Sequence, residues 1–443
     1  MVEQAGMIDV TETRQDRAGM RAAPRTPGVI QVFSETIGAG FQSHELNRLS
    51  RIGRDREAEI SIDDTQISRF HALLAPATGG VLVTDLGSRN GTFLDGRRLG
   101  PDEVLASPGA VLRCGGTLLR VVDDVAPFRN WTVQPGSRLV GGPSLGIVRK
   151  LLKNVARQRH AVLIEGETGT GKEVVARELH DLSATEGQYI AVNCSAIPAE
   201  LVESELFGHS RGAFSGSDRH RAGLFRAAHR GTLLLDELGD LPASAQAKLL
   251  RAMELREIRP VGEDRAVPVD VRVVGATNVD LARRVEEGLF RADLFHRIAV
   301  WKIHLPPLRA RMEDVPLLAA HLLGDSGLSF GVELMEKFML ASWPGNVREL
   351  RNAVTTAMAE AEENQQTQLR PEHLPPQGEG ELLQPAARTD PEAAARRSRL
   401  EAALLRNQGN ISHVAKELGC TRPWLYLEMK RLNIDPTLFR KRR

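Results

Sequence analysis

The chain has 443 residues, 42% of them hydrophobic and 26% charged, with a formal net charge of +1. This length suggests about three domains with ordinary packed cores. The near-neutral balance excludes a uniformly basic nucleic-acid binder, so any such surface has to be local.

Three well-separated cysteines, Cys114, Cys194 and Cys420, form no CxxC pair, which speaks for a reducing cytosol and against a zinc site. No uncharged apolar run approaches the roughly 18 residues of a membrane span. The N-terminus carries Glu3, Asp9 and Glu12 and no apolar core, so it does not read as a signal peptide. The expectation is a soluble, cytoplasmic protein.

In chain order, residues 1–27 are polar, end in Pro24 and Pro27, and read as a disordered arm. Residues 28–125 consist of short apolar segments broken by Gly, Asp and Asn, such as Gly80–Asp85 and Thr117–Val122; this spacing predicts an all-β sandwich. Strands alternate with long helical patterns over residues 134–370, predicting an α/β core followed by a helical part. Residues 371–391 are rich in Pro, Gln, Glu and Gly and read as a linker. The last segment, 392–443, is helical and basic, with twelve Lys/Arg against five Asp/Glu. The fold class expected is therefore multidomain: an all-β sandwich, an α/β core with helical lid, and an all-α tail.

The chemistry is concentrated in the centre. Gly166-Glu167-Thr168-Gly169-Thr170-Gly171-Lys172, with Glu173 behind it, follows the apolar run Ala161–Ile164 and precedes a helical pattern over Glu173–His180. In that strand–loop–helix setting the backbone N–H groups of a glycine-rich loop face phosphates and the lysine reaches the terminal ones. Downstream, Gly231–Glu237 reads as a buried strand ending in two carboxylates, Asp236 to hold Mg²⁺ and Glu237 to orient a water. The two together point to nucleotide hydrolysis.

Three N-terminal fragments, Gly53-Arg54, Ser68-Arg69-Phe70-His71 and Asp85–Thr92, resemble the signature of forkhead-associated (FHA) domains, sandwiches whose loops bind phosphothreonine peptides. The resemblance implies that Arg54 and Ser68 hold the phosphate, that Arg69 supports them, and that Asn90 holds the peptide backbone. His71 would brace the loops. A dianionic phosphate calls for this mixture of guanidinium, hydroxyl and amide donors. The plainer alternative is a sandwich that only docks on its neighbour.

From about Val140 to Glu363 the chain resembles the AAA+ domain of bacterial enhancer-binding proteins, the ATPases that activate RNA polymerase carrying sigma-54. The carrying segments include Ala191–Cys194, Glu203–His209, Gly275–Asn278, Phe290–Arg297 and Trp343–Leu350. By this resemblance Asn278 is a sensor of the terminal phosphate, and Arg348 is a second sensor on the lid. Asn193 holds the catalytic Glu237 between turnovers. Arg291 and Arg297 are arginine fingers that enter a neighbouring subunit's site, which requires a ring, usually a hexamer.

Gly212-Ala213-Phe214-Ser215-Gly216 and Ser217 stand where that family has Gly-Ala-Phe-Thr-Gly-Ala, the loop that contacts sigma-54. Ser215 and Ser217 depart from the pattern. An ATPase regulator working without sigma-54 is thus the nearest rival reading, and a non-enzymatic, DNA-tethered phosphopeptide adaptor is another.

Leu400–Ile434 is similar to the Fis-type helix-turn-helix that ends most such proteins. Gly419 closes one helix, Thr421 caps the next, and Pro423 fits its first turn. Thr421, Arg422, Tyr426, Lys430 and Arg431 would face DNA. Trp424-Leu425-Tyr426-Leu427-Glu428 is less basic than the family's Thr-Leu-Tyr-Arg-Lys, which keeps a purely dimerising helical hairpin open. The implied partners are upstream double-stranded DNA, sigma-54 polymerase, a phosphothreonine protein from a Ser/Thr kinase pathway, and further copies of the chain.

Overall fold

The computed structural model describes residues 25–132, 136–212 and 220–374. Toward the C-terminus it describes 400, 403–404, 406–407, 411–417, 425 and 429. Residues up to 385 form one compact unit and residues from 386 a second.

The predicted sandwich is present. Its strands are β1 (Gly28–Ser34), β2 (Gly38–Glu45), β3 (Ser50–Gly53), β4 (Ile60–Ser61), β5 (Ala72–Ala77) and β6 (Gly80–Asp85), followed by β7 (Thr92–Leu94), β8 (Arg97–Arg98), β9 (Val104–Ala106), β10 (Val111–Cys114) and β11 (Thr117–Val122). They pair as two sheets, in the orders β2-β1-β11-β10-β7-β8 and β4-β3-β5-β6-β9. Alternation along the strands sends Val29, Leu112, Leu119 and Val121 into the core between the sheets.

Next comes the α/β core. Its first half holds α1 (Gly146–Ala156), β12 (Val162–Glu165), α2 (Lys172–Leu182), β13 (Tyr189–Asn193), α3 (Ala199–Phe207), α4 (Leu224–Ala227), β14 (Thr232–Asp236) and α5 (Ala243–Leu255). A small ribbon of β15 (Glu257–Ile258) and β16 (Val267–Pro268) precedes β17 (Arg272–Thr277), α6 (Leu281–Glu286), α7 (Ala292–Ile298) and β18 (Trp301–His304). The sheet has the order β13-β14-β17-β12-β18, and its neighbours are parallel.

Both faces of that sheet are covered, so β14 reads as an unbroken apolar run. Leu234 faces the layer of α1 and α2, whereas Leu233 and Leu235 face the layer of α3, α5 and α7. Between its parallel neighbours β17 and β18, the P-loop strand β12 carries its ligand loop at the carboxyl edge, where such sheets place their sites.

The lid is formed by α8 (Val315–Leu323), α9 (Val332–Leu340) and α10 (Asn346–Glu363), with β19 (Ser329–Phe330) pairing to β20 (Gln368–Leu369). Phe338 and Trp343 stack edge to face at 5.5 Å in its core.

One feature joins sandwich and lid. The outer face of the six-stranded sheet is buried against α8 and α9, and Ile30, Val32, Phe33, Val111 and Leu118 share one apolar cluster with Val315, Leu318, Met335 and Phe338. Every residue of β1 is buried: Val29 fills the sandwich, whereas Ile30, Val32 and Phe33 fill this joint, the register shift between Gln31 and Phe33 putting two successive side chains on one face. Polar pairs frame it. Arg113 meets Glu336 at 2.8 Å and Glu333 at 3.5 Å, and Arg120 meets Glu313 at 3.4 Å.

In the second unit Leu400, Ala403, Leu404, Ile411, Val414, Ala415, Leu425 and Met429 form a small apolar core around the helix Ile411–Glu417. Leu425 and Met429 stand four apart, the spacing of one helix face. The predicted DNA-facing residues Thr421, Arg422, Tyr426, Lys430 and Arg431 lie outside the described residues, as does the linker from 375.

Candidate functional site

The glycine-rich loop leaves β12 at Glu165 and enters α2 at Lys172. Gly169 and Gly171 take φ of 79° and 104°, left-handed values that a side chain would strain. Lys172 is 7% exposed and donates through Nζ to the carbonyls of Gly166 at 3.0 Å and Glu167 at 3.3 Å. Burial lowers its pKa, opposed by the carboxylates of Glu237 and Asp236. A lysine held among these groups is placed to meet phosphate charge.

Asp236 ends β14, and its Oδ1 accepts the Glu237 N–H at 3.0 Å. Glu237 follows in a left-handed conformation, φ 50°, which turns its side chain off the strand. Burial pushes its carboxyl upward, with Lys172 opposing. Asn193 pairs in register with Asp236 at the adjoining strand end, and its oxygen accepts from Ser195 N–H at 2.9 Å and Oγ–H at 2.7 Å. Asn278 follows β17 and donates to Thr168 Oγ1 at 3.0 Å. Four of the six predicted catalytic residues therefore gather at one edge of the sheet around the loop.

The two arginine candidates do not join them. Arg291 is exposed and pairs with Asp293 at 2.7 Å. Arg297 donates to the Met253 carbonyl at 3.2 Å and lines a cavity of about 280 Å³ with Gly231 and Arg272. Gly231 and Arg272 stand at the amino ends of β14 and β17, so Arg297 lies at the opposite edge of the sheet from Lys172.

Sequence reading did not resolve how tightly the lid grips the loop. The Val347 N–H donates to the Gly169 carbonyl at 3.0 Å. A Cβ on Gly169 would collide with the Gly345 carbonyl oxygen and stand 3.1 Å from Arg348 Cβ, which places Arg348 beside the loop. Asn346, fully buried with φ 55°, donates to Glu167 Oε2 at 3.2 Å and to the Thr168 carbonyl at 3.0 Å. Arg309 forks onto Glu167, with Nη1 at 2.7 Å from Oε2, and holds that carboxyl down to about 2. The buried Arg311 donates to the Thr170 carbonyl at 2.9 Å and lies 3.7 Å from the buried Asp314.

The glycine-rich loop, Arg348 and the Trp343–Leu350 segment carried a sequence signal, whereas Arg309, Arg311 and Asp314 carried none. Arg309 and Arg311 are ordinary arginines until the fold buries them.

At the loop proposed to touch the polymerase, the stem is a β-bridge between His209 and Arg221. Gly212 takes φ 80°. Ala213, Phe214, Ser215, Gly216 and Ser217 lie outside the described residues.

On the sandwich, Arg54, Ser68, Asn90, Arg89 and Gln66 line a cavity of about 410 Å³. Arg89, which the sequence did not single out, lines the cavity; Arg69 is exposed and is not among its lining residues. His71 is fully buried, and its Nδ1 accepts the Ser68 N–H at 3.1 Å, so Nε2 carries the proton toward the Gly91 carbonyl at 3.2 Å. Burial lowers its pKa, which keeps this neutral brace in place. Asn90 Nδ2 donates to the Gln66 carbonyl at 2.7 Å, and Ser68 Oγ accepts the Arg89 N–H at 3.1 Å.

A parallel sheet with a P-loop at its carboxyl edge, closed by a helical lid, defines the central region as a nucleotide-binding AAA+ core. The comparisons agree. Family models match the sigma-54 interaction domain over residues 141–304, the AAA+ ATPase lid domain over 309–389, the FHA domain over 50–115, and the Fis family of bacterial regulatory proteins over 397–432.

The regulatory protein LuxO of Vibrio cholerae is 47% identical over 54% of this chain and 47% of its own length. The response regulator protein PilR of Pseudomonas aeruginosa is 37% identical over 81% of this chain and 84% of its own length. The crystal structure of NtrX from Brucella abortus in complex with ATP superposes with a TM-score of 0.52 at 32% identity, covering 67% of this chain and 70% of that one. The chain thus spans about half the length of the first of these relatives. It belongs to the sigma-54-dependent transcriptional activators, the bacterial enhancer-binding proteins, here with an FHA domain in front of the AAA+ core.

Proposed function

We propose that this chain hydrolyses ATP to remodel the sigma-54 polymerase closed complex, is placed on upstream DNA by its C-terminal helices, and is governed by phosphothreonine recognition on its sandwich. The observation that carries the enzymatic part is the gathering of Lys172, Asp236, Glu237 and Asn278 around one loop. Lys172 meets the terminal phosphates. Glu237, with its raised pKa, takes up the proton of a water that it orients, and Asn278 monitors the terminal phosphate. Asp236 is the residue that would hold Mg²⁺, directly or through water, and that ion neutralises phosphate charge when bound.

Arg348 faces the loop from the lid and senses the nucleotide. Arg291 and Arg297, bonded to Asp293 and to the Met253 carbonyl, serve as fingers to a neighbouring copy in a hexameric ring. Phe214, flanked in sequence by Gly212 and Gly216, presses on sigma-54. Arg54, Ser68 and Asn90, with Arg89, receive the phosphothreonine peptide, and the protein acts in the cytoplasm.

The test is ATP hydrolysis by the full chain. Lys172→Ala, which removes charge from the phosphates, and Glu237→Gln, which removes the proton acceptor, should each lower the rate at least about 100-fold. Hydrolysis within about twofold of wild type in both variants would overturn the assignment and favour the adaptor reading.

A further inference from the structure

We propose that Glu35 couples the phosphopeptide loop to the ATPase lid; this inference rests on the phosphothreonine reading of the sandwich. Glu35 sits in the turn after β1, and its two carboxylate oxygens face different domains. Oε2 accepts from Gln66 Nε2 at 2.8 Å. Oε1 accepts the Val332 N–H at 2.7 Å and the Gln368 Nε2–H at 3.3 Å. Gln66 lines the sandwich cavity and, through its carbonyl, receives Asn90 Nδ2, the amide assigned to the peptide backbone. Val332 is the first residue of α9. A carboxylate is thus shared between the peptide loop and the start of a lid helix.

The groups around Glu35 leave little slack. Its N–H donates to the Gly116 carbonyl at 3.0 Å. Buried Asp64 accepts from the N–H of Gln66 at 2.8 Å, the N–H of Gly116 at 2.9 Å and Thr117 Oγ1 at 2.9 Å. The peptide loop is therefore tied to β11 and to the Glu35 turn together. A Cβ on Gly116 would lie 3.0 Å from Glu35 Oε2 and 3.2 Å from Gln66 Nε2, so the close approach uses a glycine.

On the far side, α9 runs to Leu340 and the chain continues within six residues to Asn346, which bonds the glycine-rich loop at Glu167 and Thr168. A peptide that takes the Asn90 amide removes a donor from Gln66. That moves the Glu35 carboxylate, and with it the anchor of α9 and the grip on the nucleotide loop. By linkage, nucleotide then alters peptide affinity by the same factor.

The test uses the full chain, a fluorescent ATP analogue, and a degenerate phosphothreonine peptide pool with its unphosphorylated counterpart. Binding of the phosphorylated pool should change analogue affinity by about fivefold or more, the lower end of ordinary allosteric coupling. Glu35→Ala should bring that factor to within about twofold of unity while peptide affinity changes little.

A second variant reaches the link from the lid. Val332→Pro removes the N–H donor at the first helical position, where proline is accepted, and Gly331 already has the extended geometry, φ −75° and ψ 148°, that a following proline demands. It should also uncouple the sites.

Equal binding of both peptide pools to the wild type would overturn the phosphothreonine reading and the inference with it. Phosphopeptide binding that leaves analogue affinity unchanged would overturn the coupling alone. Full coupling retained in both variants would remove Glu35 from the route.

Discussion

The joint between sandwich and lid makes a measurable prediction at Arg113 and Glu336. Their side chains are 13% and 6% exposed and lie 2.8 Å apart. Arg113 also stacks on Phe93, its guanidinium carbon 3.7 Å from the ring centroid. Removing one member of a buried pair leaves the other charge uncompensated, at a cost of about 3–5 kcal/mol. Arg113→Met should lose about that much, to which the cation–π contact adds about 0.5–1 kcal/mol. Arg113→Met with Glu336→Met should recover most of the loss, because apolar side chains of similar volume fit a joint already lined by Leu118 and Met335.

The loss should also depend on pH. Burial already raises the Glu336 pKa against the pull of Arg113, and deleting Arg113 raises it further. The folded state then holds a proton that the unfolded chain releases above about 4.3, so stability falls as pH climbs from there through the folded pKa. The Arg113→Met penalty should be larger at pH 8 than at pH 5.

Equilibrium urea unfolding of the full chain measures this, with fluorescence of buried Trp343, the other three tryptophans replaced by Phe, reporting the lid and far-ultraviolet circular dichroism reporting the whole fold. A loss under about 1 kcal/mol, or separate transitions for sandwich and lid, would refute the shared core.

Three further outcomes follow from the nucleotide site. Gly169→Ala should weaken ATP-analogue binding at least about tenfold in a fluorescence titration, since the new methyl collides with the Gly345 carbonyl and sits at a positive φ; unchanged affinity would mean that the lid grip is irrelevant to nucleotide. Asp314 is held above the usual carboxylate range by burial, then by Glu313, against Arg311. It therefore contributes a fall in stability as pH rises above about 4 toward its folded pKa, and Asp314→Asn should flatten the pH dependence of the urea midpoint. For Glu237, whose pKa burial raises, the acid limb of kcat/KM for ATP hydrolysis should lie above the ordinary glutamate value of about 4.3.

Much of this architecture was legible because its signals are local. The glycine spacing of Gly166–Lys172 demands the observed turn, and the apolar run before Asp236 becomes a strand covered on both faces. Asn90 and Ser68 were likewise readable, since they sit in short polar fragments between strands.

What escaped reading depends on residues distant in sequence. Arg309 and Arg311 acquire their partners across more than 140 positions. The sandwich–lid joint did leave a trace. Thr117-Leu118-Leu119-Arg120-Val121-Val122 is nearly continuous in apolar character, where a sheet with one wet face would alternate. Leu119 and Val121 serve the sandwich core, Leu118 serves the lid, and Arg120 at the edge takes Glu313. Arg69 shows the converse limit: a motif position fixes its identity, while the fold leaves it exposed and outside the cavity lining.

The most direct test of the central claim is ATP-dependent open-complex formation on a sigma-54 promoter by the full chain with sigma-54 polymerase. Open complexes should form with the wild type and disappear in Glu237→Gln and in Phe214→Ala, with ATP hydrolysis retained in the latter. Vigorous hydrolysis by the wild type without promoter opening would contradict it and direct the search to another polymerase partner.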